Sequence, residues 1–303
     1  MMTIIGDRNR PVYFYLKKKM APVLVIVDLS NSSLNAAKYA ADMAVALRAK
    51  LIMIHVVQLA EVCLSLSSDE AELYKVQKRR ITWLNELKMH LLARTDNKIE
   101  IEGIILHGEF ESELEKFCAL QHPLLLVTGL NTNTSDAHHQ NSINVSGLSE
   151  NIKCHLLIVP SHSFYQGFRW VTIITNRQQS NAGDIVSFIR KWLRQFDNSQ
   201  EPELHVRRFI EFAVTDLASK EKIDLVVNAT HDVASLDMLL HSIQPSSHTE
   251  NYAPAVLSLA KEDLSTEIFS HNISGAKGHD CSVCNGACRT KKNIINKEEI
   301  LSK

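Results

Sequence analysis

Glycine is scarce in this chain: 10 of 303 residues, less than half the share of roughly 7% found in average proteins. Phosphate cradles need backbone amides with no Cβ in the way, so they have little raw material here. Excess charge of one sign is missing as well. The 33 Lys and Arg stand against 34 Asp and Glu, and no basic surplus marks DNA or RNA as a partner. No apolar run reaches the ~18 residues that span a bilayer, and the greasiest stretch, Leu51 to Leu64, is interrupted by His55, Gln58 and Glu61. Neither nucleic acid nor a membrane is therefore expected as a partner. Lys17, Lys18 and Lys19 follow the apolar Val12 to Leu16, the reverse of a secretory signal, so a cytoplasmic protein is expected. Met20 directly precedes the first well-patterned strand, and residues 1–20 are read as an extension outside the fold. Catalytic signatures are also missing: there is no Gly-x-Ser-x-Gly elbow, no Walker lysine motif and no His-Glu-x-x-His. A binding or regulatory role is expected rather than a catalytic one.

What is present is enough apolar material, 45% of the residues, for a substantial core. Val23 to Val27 is a continuous apolar run of β-branched character, as in a strand buried on both faces of a parallel sheet. Ser30, Asn31, Ser32 and Ser33 then supply N-cap chemistry for a helix to about Leu47, with Ala36, Ala37, Ala40 and Ala44 on one stripe. Further strands are read at Leu51 to Val57, Ile99 to Leu106, Leu124 to Val127 and Leu156 to Val159, and helices at Asp69 to about Arg94 and Glu111 to Ala119. Strand and helix alternate, which argues a doubly wound α/β sheet. Cys118 and Cys154, set singly among apolar residues, read as packing residues.

The second half repeats this outline in shorter form. Strands are read at Trp170 to Thr175, Leu204 to Arg208, Ile223 to Val227 and Ala255 to Leu259, with helices at Asp184 to Phe196 and Ile210 to Lys220. Val171 lies 148 residues after Val23, whereas Leu225 and Val256 lie 100 after Leu125 and Leu156. The second copy is thus 48 residues shorter between its first and fourth strands, the length of one strand and one helix. Domains are drawn at 21–162 and 168–263, with a tail at 264–303.

The first copy resembles the universal stress protein family. The resemblance rests on Val27-Asp28-Leu29-Ser30, the alanine-rich first helix, Ile54-His55-Val56-Val57, the turn His107-Gly108-Glu109, Leu124 to Gly129, and Cys154 to Pro160, in that order. It implies two Rossmann-like domains of the adenine nucleotide alpha hydrolase-like type, the second degenerate, and a role in stress response. It also implies ATP as a candidate cofactor at the carboxyl ends of the first and fourth strands. The matching nucleotide-binding set is Asp28, Val56, Gly129, Thr132, Asn141 and Ser142. Thr132 and Asn141 stand where the family carries glycine, so the site reads as degraded. In the second copy Asn176 replaces the aspartate and Asn228-Ala229-Thr230 the first glycine region, and no nucleotide site is assigned there. Members of the family commonly pair through their last strand. Leu156–Val159 and Ala255–Leu259 are therefore expected to pair internally, with a second copy of the chain or another protein as further candidate partners.

The tail carries His279, Cys281, Cys284 and Cys288, enough soft ligands for one tetrahedral zinc. An alternative function is thus a thiol or zinc sensor, and a third is an ATP-binding switch with slow hydrolysis.

Overall fold

The structure, a computed structural model, describes residues 21–58, 70–130, 145–176, 182–196, 201–208, 223–230, 232–243 and 253–260. The expected N-terminal extension, the helix read at Ile210 to Lys220 and the cysteine tail lie outside the described residues. Within them the first half contains β1 (Val23–Ile26), α1 (Asn31–Leu47), β2 (Leu51–Val57), α2 (Glu70–Arg94), β3 (Ile101–His107), α3 (Phe110–Gln121), β4 (Leu125–Leu130), α4 (Val145–Asn151) and β5 (Leu156–Pro160). The second half contains β6 (Trp170–Thr175), α5 (Ala182–Leu193), β7 (Glu203–Arg208), β8 (Leu225–Asn228), α6 (Val233–Ser242) and β9 (Ala255–Ser258). Neither α4 nor α6 is assigned from sequence.

The nine strands of the described residues join one sheet in the order β3-β2-β1-β4-β5-β9-β8-β6-β7. Every neighbouring pair is parallel except β5 with β9, where the two halves meet antiparallel. The apolar runs explain why the strands sit centrally. Val23, Leu24, Val25, Leu125, Leu126 and Val127 are all at 0% exposure, so both faces of β1 and β4 are covered. No helix among the described residues is long and apolar enough to cross a membrane.

One face of the sheet is covered by α3, α4 and α6. There Leu24, Ile54, Leu126 and Ile158 of the first half share a single hydrophobic cluster with Ile174, Val226 and Val256 of the second, closed over by Leu114, Leu148, Leu236 and Leu239. On the opposite face α1 lays Ala36, Ala37, Ala40 and Ala44, each fully buried, against the sheet. Small side chains let the helix axis come close. An Arg94 fork to Asp42, at 2.9 and 2.7 Å, ties α2 to α1.

Aromatic side chains bridge the halves. Tyr39 of α1 meets Tyr165 of the connecting segment with ring centroids 5.5 Å apart, and Tyr165 meets Phe168 at 5.3 Å. Phe168 reaches Trp192 and Phe196 at 6.2 and 5.1 Å. Burial pushes the Tyr165 phenol well above its ordinary pKa, and the nearby Asp42 charge adds to the rise.

The seam has a symmetric register. Leu157 faces Leu257, while Leu156 faces Ser258 and Ile158 faces Val256. With the 100-residue offset, the first pair joins equivalent positions and the other two are reciprocal, the pattern of an isologous two-fold contact.

Candidate functional site

In open α/β sheets ligands bind beyond the carboxyl ends of the strands where the strand order reverses. In the first half that place lies between β1 and β4, which pair as Val23↔Leu125 through Val25↔Val127. Beyond β1 the chain turns through Asp28 and Leu29 into α1. Asp28 Oδ1 accepts from the Ser30 amide at 3.0 Å and from the Ser30 hydroxyl at 2.5 Å. Ser30 is the N-cap: its Oγ accepts from the Ser33 amide at 3.1 Å. The Ser33 hydroxyl donates to the Ser30 carbonyl at 3.0 Å and accepts from the Asp28 amide at 3.2 Å. The Ser30 and Ser32 hydroxyl oxygens lie 2.9 Å apart. Leu29 is held in the left-handed region at φ 71 with its side chain 47% exposed, a strained conformation for a bulky residue. Asp28 therefore shapes the turn while Ser30 caps the helix. Asp28 Oδ2 accepts no hydrogen bond among the described residues.

Two neighbours fix this turn. The His55 Nδ1–H of β2 donates to the Val27 carbonyl at 2.8 Å, and the ring is buried and tilted against Trp83, 6.2 Å away between centroids. A carbonyl accepts only, so the proton sits on Nδ1. Asn35 Nδ2 of α1 donates to the Pro160 and Ser163 carbonyls, both at 3.0 Å, and the Ser161 hydroxyl donates to the Leu130 carbonyl at 3.2 Å. The segment after β5 thus crosses the carboxyl ends of β4 and β5.

Gly129 completes the site from β4. A Cβ there would lie 2.5 Å from the Ser32 carbonyl oxygen and 2.9 Å from the Ser33 amide nitrogen. Both are backbone atoms of the first turn of α1. The missing side chain is therefore what lets that turn dock on β4. That close approach of the α1 turn gives Gly129 a packing role. The structure brings Asp28 and Gly129 together through α1. Val56 is half-buried and packs on the core cluster of the opposite face. Thr132, Asn141 and Ser142 lie outside the described residues, as do His279, Cys281, Cys284 and Cys288. Among the described residues no group of three or more His, Cys, Asp or Glu is arranged to hold a metal ion. Sequence reasoning missed Asn35 and Ser161, whose partners are 125 and 31 positions away.

The matching place in the second half lies between β6 and β8. Beyond β8, Asn228 Oδ1 accepts from the Thr230 amide at 3.2 Å and the Thr230 hydroxyl at 2.8 Å, the same device as Asp28 with Ser30. Asp232 then caps α6, accepting from the Ser235 amide at 3.0 Å and hydroxyl at 2.6 Å. These hydrogen bonds hold the Asp232 carboxyl below its usual range, the hydroxyl contributing most. A small pocket at this end is lined by Asn228, Asp232, Ser149 and Glu150.

Residues 20–162 match the model of the universal stress protein family. No curated protein matches the chain. Among solved structures, a universal stress protein from Archaeoglobus fulgidus DSM 4304 aligns over 80% of this chain and 97% of its own, with 13% identity and a TM-score of 0.55. That likeness spans both halves and shows the fold. Two shorter likenesses cover about half of this chain. One is a universal stress protein in complex with cAMP, 24% identical over 47% of this chain and 98% of its own at a TM-score of 0.34. The other is a universal stress protein family protein from Arabidopsis thaliana with AMP bound, 13% identical over 46% and 91% at 0.32. Residues 20–162 thus match the universal stress protein family, and the mostly parallel α/β sheet shares its fold with a solved universal stress protein.

Proposed function

We propose that the chain is a tandem of two universal stress protein domains. It acts in the cytoplasm as a binding or regulatory module in stress response, with a degraded ATP site in the first half and none in the second. The observation that carries the degraded-site reading is Gly129. It matches a phosphate-loop glycine, yet the first turn of α1 already occupies the room it leaves.

Strand register supports the tandem. Val23↔Leu125 in the first half corresponds to Val171↔Leu225 in the second at the offsets of 148 and 100, and Leu126↔Leu156 corresponds to Val226↔Val256 at 100 on both sides. The order β7-β6-β8-β9 repeats β2-β1-β4-β5, with no counterpart of β3 among the described residues. A sequence offset carried into four ladders is what duplication with one deletion produces.

One observation favours the ATP-binding switch as a second reading. Asp28 Oδ2 is free of hydrogen bonds among the described residues and is only partly buried, so a nucleoside hydroxyl has an acceptor to meet. Nucleotide analysis of the purified full chain separates the two readings. The degraded-site reading expects no stoichiometric nucleotide. Co-purified ATP that is lost on Asp28→Ala would overturn it and establish the switch.

A further inference from the structure

The two halves differ at their outer strands. In the first half β2 is paired on both sides, by β1 and β3, and six of its seven residues are buried. In the second half β7 lies beside β6 as β2 lies beside β1, and among the described residues β6 is its one strand neighbour. None of the β7 residues is buried. The Glu203 N–H donates to the Arg169 carbonyl at 2.8 Å, and residues of a parallel ladder alternate in direction. Glu203, His205 and Arg207 therefore turn their backbone groups to β6, while Leu204 and Val206 turn theirs away from it. Such edges are ordinarily guarded by proline or by charge. Pro202 stops the edge just ahead of β7, but along β7 itself the charges are mixed, with Glu203 at one end and Arg207 towards the other.

We propose that β7 pairs antiparallel with β7 of a second copy of the chain, about a two-fold axis at His205. An antiparallel ladder joins residues whose backbone groups point the same way, so a self-pairing matches even positions with even and odd with odd. Centred on His205, it sets Glu203 opposite Arg207 of the second copy and Leu204 opposite Val206, each twice by symmetry, with the two His205 side by side. Each Leu204–Val206 pair exchanges both of its outward N–H and C=O groups, and Val206, 41% exposed in the single chain, gains an apolar neighbour. The charged pairs form on the other face, where Glu203 and His205 already lie together, Oε2 and Nε2 4.0 Å apart. Arg207 has an interaction within its own chain, and a guanidinium with five donors retains some for a carboxylate opposite. Moving the axis by one residue destroys the match. About Leu204, Pro202 meets Val206 at a hydrogen-bonding position where proline has no donor. About Val206, His205 meets Arg207 and Leu204 meets Arg208. The other outer strand, β3, has no such complement: its one carboxylate, Glu102, is bridged to Lys50 at 2.5 Å.

Sedimentation of the full chain over a range of concentrations is expected to show a monomer–dimer equilibrium. Arg207→Glu sets like charges opposite each other at two places and should weaken the dimer by about tenfold. Glu203→Arg combined with Arg207→Glu should restore it, because the register about His205 makes those positions partners. A chain that sediments as a monomer throughout would overturn the proposal. So would a dimer indifferent to Arg207→Glu, or one that the double exchange does not restore. The register has a separate test at an exposed position. Residues facing each other in a non-hydrogen-bonded pair have Cα atoms ~4.5 Å apart, within reach of a disulfide. Under mild oxidation His205→Cys should therefore give a dimer that dithiothreitol releases and whose cross-link maps to position 205. Arg208→Cys, which the ladder holds far from its own copy, should not. Equal cross-linking at the two positions, or none at 205, would contradict the register.

Discussion

The carboxyl ends of β4 and β8 hold corresponding places in the sheet, and they are built differently. At β4 Gly129 stands one residue before the ladder's end at Leu130, and the first turn of α1 sits where a Cβ would be. One hundred residues on, Ala229 follows β8 with its methyl buried, and Asn228 folds back on Thr230. The same local device, a side-chain oxygen accepting from the amide and hydroxyl two residues ahead, occurs in each half, but after different strands. In the first half it belongs to Asp28 beside β1, and in the second to Asn228 beside β8. The difference teaches that a glycine at such an end is not by itself a ligand signal. In the first half it serves helix docking, and in the second a buried methyl is tolerated at the corresponding place.

That comparison can be broken at several points. The largest effect is expected at the seam, where Leu157 and Leu257 face each other at 0% exposure. Leu157→Ala and Leu257→Ala should each cost about 3 kcal/mol in urea unfolding, as large-to-small changes at fully buried sites do. The two costs should be alike, because both residues line one contact. Gly129→Ala should follow at about 2 kcal/mol, because backbone rather than a flexible side chain must give way. Ala229→Gly, the reciprocal change, should cost no more than ~1 kcal/mol. Equal effects at 129 and 229 would erase the contrast between the halves.

Smaller effects separate the two caps. Ser30→Ala removes the acceptor of the Ser33 amide and should cost about 1 kcal/mol at pH 7. Asp232 behaves differently. Its folded pKa is lowered, so its contribution is fully present above the ordinary carboxylate pKa and is lost as pH falls through the folded value. Asp232→Asn should remove that part of the acid limb in denaturation curves measured from pH 7 downward. Smallest is Leu29→Gly, which relieves a left-handed leucine and should stabilise by under ~1 kcal/mol, net of the entropy glycine adds to the unfolded chain.

Much of the fold is legible in the sequence because the central strands are apolar on both faces. Val23 to Val27, Leu51 to Val57 and Trp170 to Thr175 read as buried strands, and the alanine stripe of α1 reads as a helix meant to lie close. What escapes is short or locally ambiguous. The seven-residue α4, Val-Ser-Gly-Leu-Ser-Glu-Asn, has a glycine and three cap-type residues in two turns, so propensity speaks against it. Helix α6 did carry a signal, Asp232 with Ser235 at cap spacing ahead of Leu236, Leu239 and Leu240. At the candidate site the Ser30 to Ser33 run announces a cap, but Asn35 and Ser161 answer to carbonyls brought in by tertiary folding. The role of Gly129 depends on the path of α1 over β4, which no local pattern encodes.

The central claim is that the β1/β4 end is completed by the chain's own first helical turn rather than by a nucleotide. Thermal unfolding of the full chain with increasing ATP tests it most directly, because a ligand at one hundred times its dissociation constant adds about 2.7 kcal/mol to a folded protein. An unchanged melting temperature up to millimolar ATP is expected. A concentration-dependent rise that disappears in Asp28→Ala would contradict the claim.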